Sequence, residues 1–269
     1  MFKDNLKNFL KHGLMLGLYG VSAILPKRRT PVIIYHSVDE SGSCISIGKD
    51  VFENQMALIK EGGYRTLTFS EIADIWKNGK AEPEKAVVLT FDDGFRNNYD
   101  VAFPILRKNG FTATIFLATD YIGKRCTWDK RSDIPDFPML TWEMITEMGG
   151  YGIDFQPHTA THPHLPLISN NRIRDEIKRS RSTIEDKLDK RCDIFCYPYG
   201  EFDERVIRVL KEEGFIGAVA VNPDKENLYT IRRVGSMHLT TQLAFNVALK
   251  EGFSLYYSCK ELVRKITMT

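Results

Sequence analysis

Short runs of β-branched residues alternate with helical segments along most of this chain, and the alternation limits the fold it can adopt. The strand-like runs from residue 31 onward include PVIIYH, YRTLTF, AVVLTF, TATIFLAT, IDFQPH, DIFCYPY, FIGAVAV and YTIRRV. They lack a strict exchange of apolar and polar residues, which is typical of strands buried on both faces. Because helical segments of ten or more residues separate many of these runs, we predict an α/β fold with a mainly parallel sheet covered by helices, either a barrel or an open doubly wound sheet.

One large domain is the expected organisation of the chain. Its 269 residues are at the upper end of what a single hydrophobic core usually serves. No stretch of biased composition divides it, and the longest irregular piece, residues 120–138, is more typical of an active-site loop than of a linker. We therefore predict an N-terminal segment over residues 1–29 and a domain over residues 30–269, with its core at about 84–250.

Charge and cysteine content bear on partners and on the compartment. The formal net charge is +2, and the sequence has neither a basic stripe interleaved with aromatic residues nor a glycine-rich phosphate loop, so nucleic acid is not an expected partner. The charged stretch over residues 170–190 is predicted to be a helix with a solvated outer face. The five cysteines form an odd set without CxxC spacing. They favour free thiols and a cytoplasmic location over a disulfide framework.

An apolar stretch near the N-terminus leaves the relation to membranes open. Residues 13–25, GLMLGLYGVSAIL, are uncharged, and basic residues flank them on both sides. The stretch is shorter than the ~20 residues that span a bilayer. Two interpretations remain: residues 1–29 form an amphipathic or apolar helical segment that makes peripheral contact with an anionic membrane surface, or they form a helix that packs on the domain.

Reactive or metal-binding side chains directly follow several of the predicted strands. In a parallel barrel or sheet, the carboxyl ends of the strands meet at one edge, where active sites form. The residues at these positions are His36, Asp92, Asp93, His158, His162, Tyr199 and His238. Of the six histidines, only His12 lies far from a predicted strand end. We therefore expect this edge to form the functional site.

The HTATH stretch predicts a metal site. Imidazoles four residues apart, here His158 and His162, fall on one side of a single helical turn and can reach one divalent ion. Two histidines leave a zinc ion under-ligated, so a carboxylate from another strand end, Asp92 or Asp93, would complete the set and leave a position for water. The alternative is that the two histidines belong to an ordinary polar loop. That alternative does not explain the acids at the end of another predicted strand.

Asp92 and Asp93 stand side by side where a strand is expected to end. Consecutive strand residues point to opposite faces, so both acids cannot converge on one site from a regular strand. Gly94 allows the backbone to break and to turn both acids into a pocket. One carboxylate can then hold a metal ion while its neighbour takes a proton, and the ion relieves their mutual repulsion. A helix-capping turn is the alternative interpretation of Asp-Asp-Gly taken alone.

Three short motifs resemble those of a known family. TFDDG, HTATHP and YPYG, in this order over about 110 residues, are similar to motifs of the polysaccharide deacetylase family with its NodB-type domain. The opening PVIIYHSV also resembles the N-terminal strand of members that act on surface N-acetylhexosamine polymers. The likeness covers roughly residues 30–250. It implies a distorted (β/α)7 barrel, which is more specific than the parallel sheet that the alternation indicates.

The resemblance also implies roles for individual residues. Asp93, His158 and His162 are expected to bind one divalent metal ion, with zinc as the predicted metal. Asp92 is the expected general base. Backbone N–H groups near Tyr199 are expected to hold the tetrahedral oxyanion together with the metal ion.

Departures from the family pattern bear on the remaining residues. Cys196 occupies the place of the arginine that orients the base in many members, and we expect Arg233 or Arg232 to supply this guanidinium. The sequence has no Asp-x-x-Asp-Trp motif, and of the Leu-x-His motif only His238 remains, which is the predicted catalytic acid. His36 is expected either to line the pocket or to bond to a neighbouring loop within the core.

These motifs together predict a metal-dependent hydrolase. Its substrate would be an N-acetylated sugar of a polysaccharide or of a lipid-linked glycan precursor, from which it removes acetyl groups. The alternative is a catalytically impaired carbohydrate-binding protein on the same fold, suggested by the missing arginine and the weak Leu-x-His motif. The presence of Asp92 favours the enzyme, because a binding protein needs no free base beside the metal ion.

Overall fold

The part of the chain that the structure describes contains ten strands and seven α-helices, together with short 3₁₀ and π segments. The structure is a computed structural model and describes residues 30–129, 131, 133–221, 223 and 225–250, so the segment predicted over residues 1–29 lies outside it. The strands are β1 (Val32–Tyr35), β2 (Ser37–Val38), β3 (Ser46–Ile47), β4 (Arg65–Leu67), β5 (Ala86–Phe91), β6 (Thr114–Leu117), β7 (Asp154–Pro157), β8 (Ile194–Cys196), β9 (Gly217–Val221) and β10 (Ile231–Gly235). The helices are α1 (Lys49–Glu61), α2 (Phe69–Lys77), α3 (Phe103–Asn109), α4 (Trp142–Gly150), α5 (Asn170–Leu188), α6 (Glu204–Glu212) and α7 (Gln242–Leu249).

Eight of these strands form one parallel sheet that curves into a nearly closed barrel. The order around the barrel is β7-β6-β5-β1-β10-β9-β8, and β4 pairs with the first half of β5. The register places Val32 of β1 beside Val88 of β5, and Ile33 of β1 beside Val234 of β10. The expectation of a mainly parallel barrel is thereby confirmed.

Alternate strand residues face the barrel interior and the surrounding helices. One buried cluster joins Val32, Val88 and Ile231 with residues of α2. Another joins the intervening residues Ile33 and Leu89 with residues of α1. Both faces of the strands are therefore buried, which explains why their sequences lack polar positions at every second residue.

Side chains close the barrel between β7 and β8, the two ends of the sheet order. Gln156 of β7 accepts a hydrogen bond at Oε1 from the Ile194 N–H at 3.2 Å. The Gln156 Nε2 group donates to the Ser70 Oγ at 2.9 Å, which fixes the orientation of the amide. The His158 Nδ1 atom lies 2.9 Å from the Cys196 carbonyl oxygen and adds a second bridge across the same gap. We refer to this gap between β7 and β8 as the seam.

We expect Gln156→Leu to weaken the seam. Leucine has a similar volume but cannot accept a bond from the buried Ile194 N–H, and a buried donor left without a partner costs about 1–3 kcal/mol. The free energy of unfolding, measured by urea titration, should fall by about that amount. Asn78→Ala is the control, since Asn78 bonds to Asp74 at an exposed helix end and should change the free energy by less than about 0.5 kcal/mol. Equal losses in the two variants would contradict the bridging role.

Candidate active site

The chain turns sharply where β5 ends, and the turn presents both acids to the barrel opening. Asp92 continues the interior-facing series of β5, and its N–H donates to the Tyr35 carbonyl of β1 at 3.0 Å. Asp93 has φ +71° and Gly94 has φ +84°. The left-handed backbone thus begins at Asp93, one residue before the glycine that was expected to break the strand. A Cβ at Gly94 would lie 2.7 Å from the Leu117 side chain, so this position needs glycine for conformation and for space.

The two histidines of HTATH lie on an irregular loop after β7. The expectation that a helical turn aligns His158 and His162 is wrong, because Thr159 and His162 have φ +68° and +56°. Non-glycine residues in this left-handed region cost of order 1–3 kcal/mol each. The His162 N–H donates to the Thr159 Oγ1 at 3.0 Å, which bends the loop back on itself. A compact loop therefore brings the imidazoles together without a helix.

Three potential ligand atoms converge at the barrel opening. The Nε2 atoms of His158 and His162 are 3.2 Å apart, and they lie 3.5 and 3.3 Å from the Asp93 Oδ1. In a tetrahedral zinc site with bonds of about 2.0–2.1 Å, neighbouring ligand atoms lie roughly 3.3–3.4 Å apart. The Asp93 Oδ1 is buried and makes no hydrogen bond of ordinary geometry. These residues therefore fit a divalent cation in both spacing and donor type.

The protonation states differ between the two histidines of this triangle. Burial holds the pKa of His162 below its ordinary value, whereas contacts with Cys196 and Asp93 outweigh burial at His158 and raise its pKa well above the ordinary value. To bind a metal ion, His158 would lose its Nε2 proton and keep its Nδ1 proton directed to the Cys196 carbonyl. Burial alone would raise the pKa of Asp93, but the close approach of the His158 and His162 imidazoles outweighs burial and holds this pKa well below its ordinary value. An ionised carboxylate and neutral imidazoles are typical zinc ligands.

Arg233 of β10 forms an ion pair with Asp92, the acid that is not part of the ligand triangle. Its Nη1 and Nη2 donate to the Asp92 Oδ1 and Oδ2 at 2.6 and 2.8 Å, and the whole residue is 1% exposed. Burial would raise the pKa of Asp92, but the charge and hydrogen bonds of Arg233 hold it below its ordinary value. Cys196 Sγ lies 3.4 Å from Asp92 Oδ2 and 3.1 Å from Arg233 Nη2. Arg232, the other predicted arginine, instead donates to the Pro223 carbonyl at 2.9 Å.

A pocket of about 250 Å³ opens over the acids and imidazoles. Of the two positions expected for His36, the structure has the one on the pocket wall, with Nε2 3.9 Å from the Asp92 Oδ2. Tyr199 also lines the pocket, with φ +58° and 39% of its surface exposed. Its ring stacks on the His164 imidazole at a centroid distance of 4.0 Å. The pocket therefore offers polar groups together with an exposed aromatic ring.

Most of the predicted site residues meet at this edge. The structure brings together His36, Asp92, Asp93, His158, His162, Tyr199 and Arg233. His238 ends a short 3₁₀ turn after β10, but its side chain lies outside the described part of the structure. Its role as catalytic acid stays a prediction. The sequence shows Cys196 at the position of the missing arginine; its contact with Asp92 depends on how β5 and β8 face each other across the barrel.

Comparison with known proteins places these features in a wider context. A family model described as "Polysaccharide deacetylase" matches residues 79–217. The chain is 30% identical over 210 residues to "Putative polysaccharide deacetylase YxkH" of Bacillus subtilis (strain 168), covering 77% of this chain and 71% of that protein. It is 28% identical over 220 residues to the poly-beta-1,6-N-acetyl-D-glucosamine N-deacetylase of Staphylococcus epidermidis, covering 77% of this chain and 72% of that protein. The structure of IcaB from Ammonifex degensii has the same fold, with a TM-score of 0.69 and 24% identity over 81% of this chain and 97% of that chain.

We expect Arg233→Met to destabilise the protein in a pH-dependent manner. Removing one partner of a buried ion pair costs about 3–5 kcal/mol, because Asp92 keeps its charge without compensation. The folded-state pKa of Asp92 is depressed, so the pair stabilises the fold above the ordinary carboxyl pKa and ceases to do so as pH falls through the depressed value. The difference in unfolding free energy between wild type and variant should therefore be largest near neutral pH and shrink in acid, as urea titrations across pH would measure.

The double variant Asp92→Asn, Arg233→Met is the control for this prediction. It lacks the uncompensated carboxylate, so most of the pH dependence of the destabilisation should disappear. A loss in Arg233→Met that is the same at every pH would show that the missing volume of the side chain, and not the charge of Asp92, accounts for it.

Proposed function

Because this chain belongs to the polysaccharide deacetylase family, we propose that it removes N-acetyl groups from a sugar with the aid of one divalent metal ion. It is a hydrolase that acts on carbon–nitrogen bonds other than peptide bonds, and carbohydrate is its substrate class. The proposed substrate is an N-acetylhexosamine unit in a polysaccharide or in a lipid-linked glycan precursor. The Staphylococcus epidermidis relative is named for such a unit, N-acetyl-D-glucosamine.

One observation supports this proposal above the others. A carboxylate and two imidazoles converge on one point, while a second carboxylate lies beside them and is not part of the triangle. The first three groups fit a metal ion, and the fourth, Asp92, is in place to accept a proton. Amide hydrolysis needs both functions, because an N-acetyl carbonyl is a poor electrophile and water is a poor nucleophile.

In the proposed mechanism the metal ligands are Asp93, His158 and His162. The ion, predicted to be zinc, would polarise the acetyl carbonyl and lower the pKa of a water molecule. Asp92 accepts a proton from the attacking water as the new C–O bond forms. Its oxygens retain lone pairs for this role, although both already accept from Arg233. Arg233 keeps Asp92 ionised and fixes its orientation.

The tetrahedral oxyanion and the leaving amine need partners of their own. In this proposal the backbone N–H groups at Tyr199 donate to the oxyanion as it develops. His238 donates a proton to the sugar nitrogen as the C–N bond breaks, because an amine leaves readily only when it has been neutralised. The products are acetate and the free amino sugar. His36, on the wall of the pocket, supports the substrate.

The Arg233–Asp92 pair argues against a catalytically impaired binding protein. That alternative rests on the weak Leu-x-His motif, of which only His238 remains, and on the missing arginine of the YPYG motif, where this chain has Cys196. The ion pair answers the second of these grounds. A guanidinium nevertheless contacts the proposed base, since Arg233 reaches it from β10 with two short hydrogen bonds. A protein that only binds sugar has no need of a compensated acid beside the metal ligands.

The proposed location is cytoplasmic, with peripheral contact between residues 1–29 and the membrane. At the inner face of the membrane such an enzyme would meet a lipid-linked sugar before export. Among the described residues, none of the helices combines the length and the apolar character that crossing a bilayer requires.

Asp92→Asn should separate metal binding from chemistry. Asparagine keeps the size of the side chain but cannot take the proton, so acetate release from N-acetylglucosamine oligomers should fall about 10²- to 10⁴-fold. The metal content of the purified variant should match that of the wild type, because the three proposed ligands are intact. Turnover equal to the wild-type value would contradict the assignment of Asp92 as the base.

Removal of the metal should abolish acetate release reversibly. After dialysis against a chelator we expect no release, and we expect zinc to restore it in the wild type. His162→Ala lacks one of three ligands, so it should require much more zinc for the same recovery. Metal content by mass spectrometry and acetate by an enzymatic assay would be measured on the same samples. Undiminished release from the chelated wild type would refute the metal-dependent mechanism.

A further inference from the structure

The carboxylate of Glu176 is fully buried, and it contacts the loop that holds the two histidines. Glu176 belongs to a buried stripe on α5 that also contains Ile173, Ile177 and Ile184. The prediction for residues 170–190 described only a solvated outer face. Glu176 lies on the opposite face of that helix, and a carboxylate without exposure needs hydrogen-bond donors around it.

The donors come from the middle of the HTATH loop. Glu176 Oε2 accepts from the Ala160 N–H at 3.0 Å and from the Thr161 N–H at 2.8 Å. Its Oε1 accepts from the Thr161 Oγ1 at 2.6 Å. Ala160 and Thr161 are two of the three residues between His158 and His162. One side chain therefore fixes the segment that separates the two imidazoles.

Other contacts to the same loop leave its backbone little freedom. The Thr119 N–H donates to the Thr159 carbonyl at 3.2 Å, and the Asp120 N–H donates to the Ala160 carbonyl at 3.0 Å. Both donors come from the segment that follows β6. The loop is thus held by α5 on its N–H side and by the β6 end on its carbonyl side. Two residues of the loop are left-handed without being glycine, and such a conformation persists only when its surroundings fix it.

Basic residues of α5 compensate the buried charge. Arg172 Nη2 lies 3.0 Å from the Glu176 Oε1, and Arg179 Nη2 lies 3.8 Å from the same atom. Arg179 also pairs with Asp120 at 3.1 Å. The helix, the loop of the histidines and the segment after β6 therefore share one network of charges and hydrogen bonds.

We propose that Glu176 is a positioning residue of the metal site. Acting through the N–H groups of Ala160 and Thr161, it sets the separation of His158 and His162 before the metal ion arrives. The inference rests on the proposed function in so far as it takes these histidines to be metal ligands. Residues that orient metal ligands without touching the ion commonly affect metal affinity by about 10- to 100-fold.

Zinc affinity of the metal-free protein tests this proposal without any activity measurement. We would titrate wild type, Glu176→Ala and Glu176→Gln against a chromophoric zinc chelator. Glu176→Ala should bind zinc about 10- to 100-fold more weakly than the wild type. Glu176→Gln keeps one oxygen that can accept the loop N–H groups, so it should recover most of the affinity.

Glu185→Ala is the matched control on the same helix. Glu185 Oε1 accepts from the Cys192 N–H at 2.8 Å and from the Arg181 Nε at 2.9 Å, away from the HTATH loop. Its loss should lower the melting temperature but leave zinc affinity at the wild-type value. If Glu185→Ala loses as much zinc affinity as Glu176→Ala, or if Glu176→Ala binds zinc within about twofold of the wild type, the proposal is overturned.

Zinc binding by a Thr161→Val variant tests the proposal even if Glu176→Ala does not fold. Zinc binding by the wild type distinguishes failure of this inference from failure of the proposed function. Thr161→Val removes only the 2.6 Å bond to Glu176, so it should fold even if Glu176→Ala does not, and its zinc affinity should fall in the same direction. A Thr161→Val variant with wild-type affinity would count against the proposal. A wild type that binds no zinc would overturn the proposed metal site, whereas normal zinc binding in both Glu176 variants would overturn this inference alone.

Discussion

Two adjacent carboxylates are buried at the end of one strand, and both can be ionised only because other groups of the site compensate their negative charges. Asp92 and Asp93 are 3% and 7% exposed, and neither can stay ionised in such a setting without its own compensation. Arg233 on β10 compensates the charge of Asp92, and imidazoles from the loop after β7 compensate the charge of Asp93. These partners come from strands on either side of β5 in the sheet order. The charges are therefore compensated only when the barrel has assembled, so barrel formation and site formation depend on each other.

The sequence predicted those features that follow from strand periodicity and from the shared edge of parallel strands. Short apolar runs without polar alternation predicted buried parallel strands, and the acids and histidines after them do meet at one edge. Local backbone detail was predicted less well. Four-residue spacing suggested a helical turn between His158 and His162, but left-handed residues in the loop produce the convergence. The strand break was expected at Gly94, yet it begins at Asp93, because an aspartate tolerates positive φ better than most residues.

Other parts of the site depend on the order and register of the strands around the barrel, which no local sequence pattern encodes. The sequence leaves both Arg232 and Arg233 as candidates, and the alternation along β10 turns Arg233 inward to Asp92. In the sequence Cys196 is a departure from a motif, whereas in the structure its thiol packs against both members of the ion pair. Glu176 is not among the residues predicted from the sequence, since it lies in a highly charged helix. A signal for it exists, because Glu176 lies three residues after Ile173 and next to Ile177 on the apolar stripe.

The seam between β7 and β8 has a consequence for how the chain can be engineered or can diverge. A backbone ladder tolerates almost any side chain, whereas a bridge built from particular side chains tolerates very few. His158 contributes both to closure of the barrel and to the candidate active site, since its Nδ1 bonds across the seam while its Nε2 faces Asp93. His162 makes no corresponding bond across the seam, because its Nδ1 makes no hydrogen bond in the described structure. A designer who wants an inert scaffold with its architecture preserved should therefore begin at His162 and leave His158 in place.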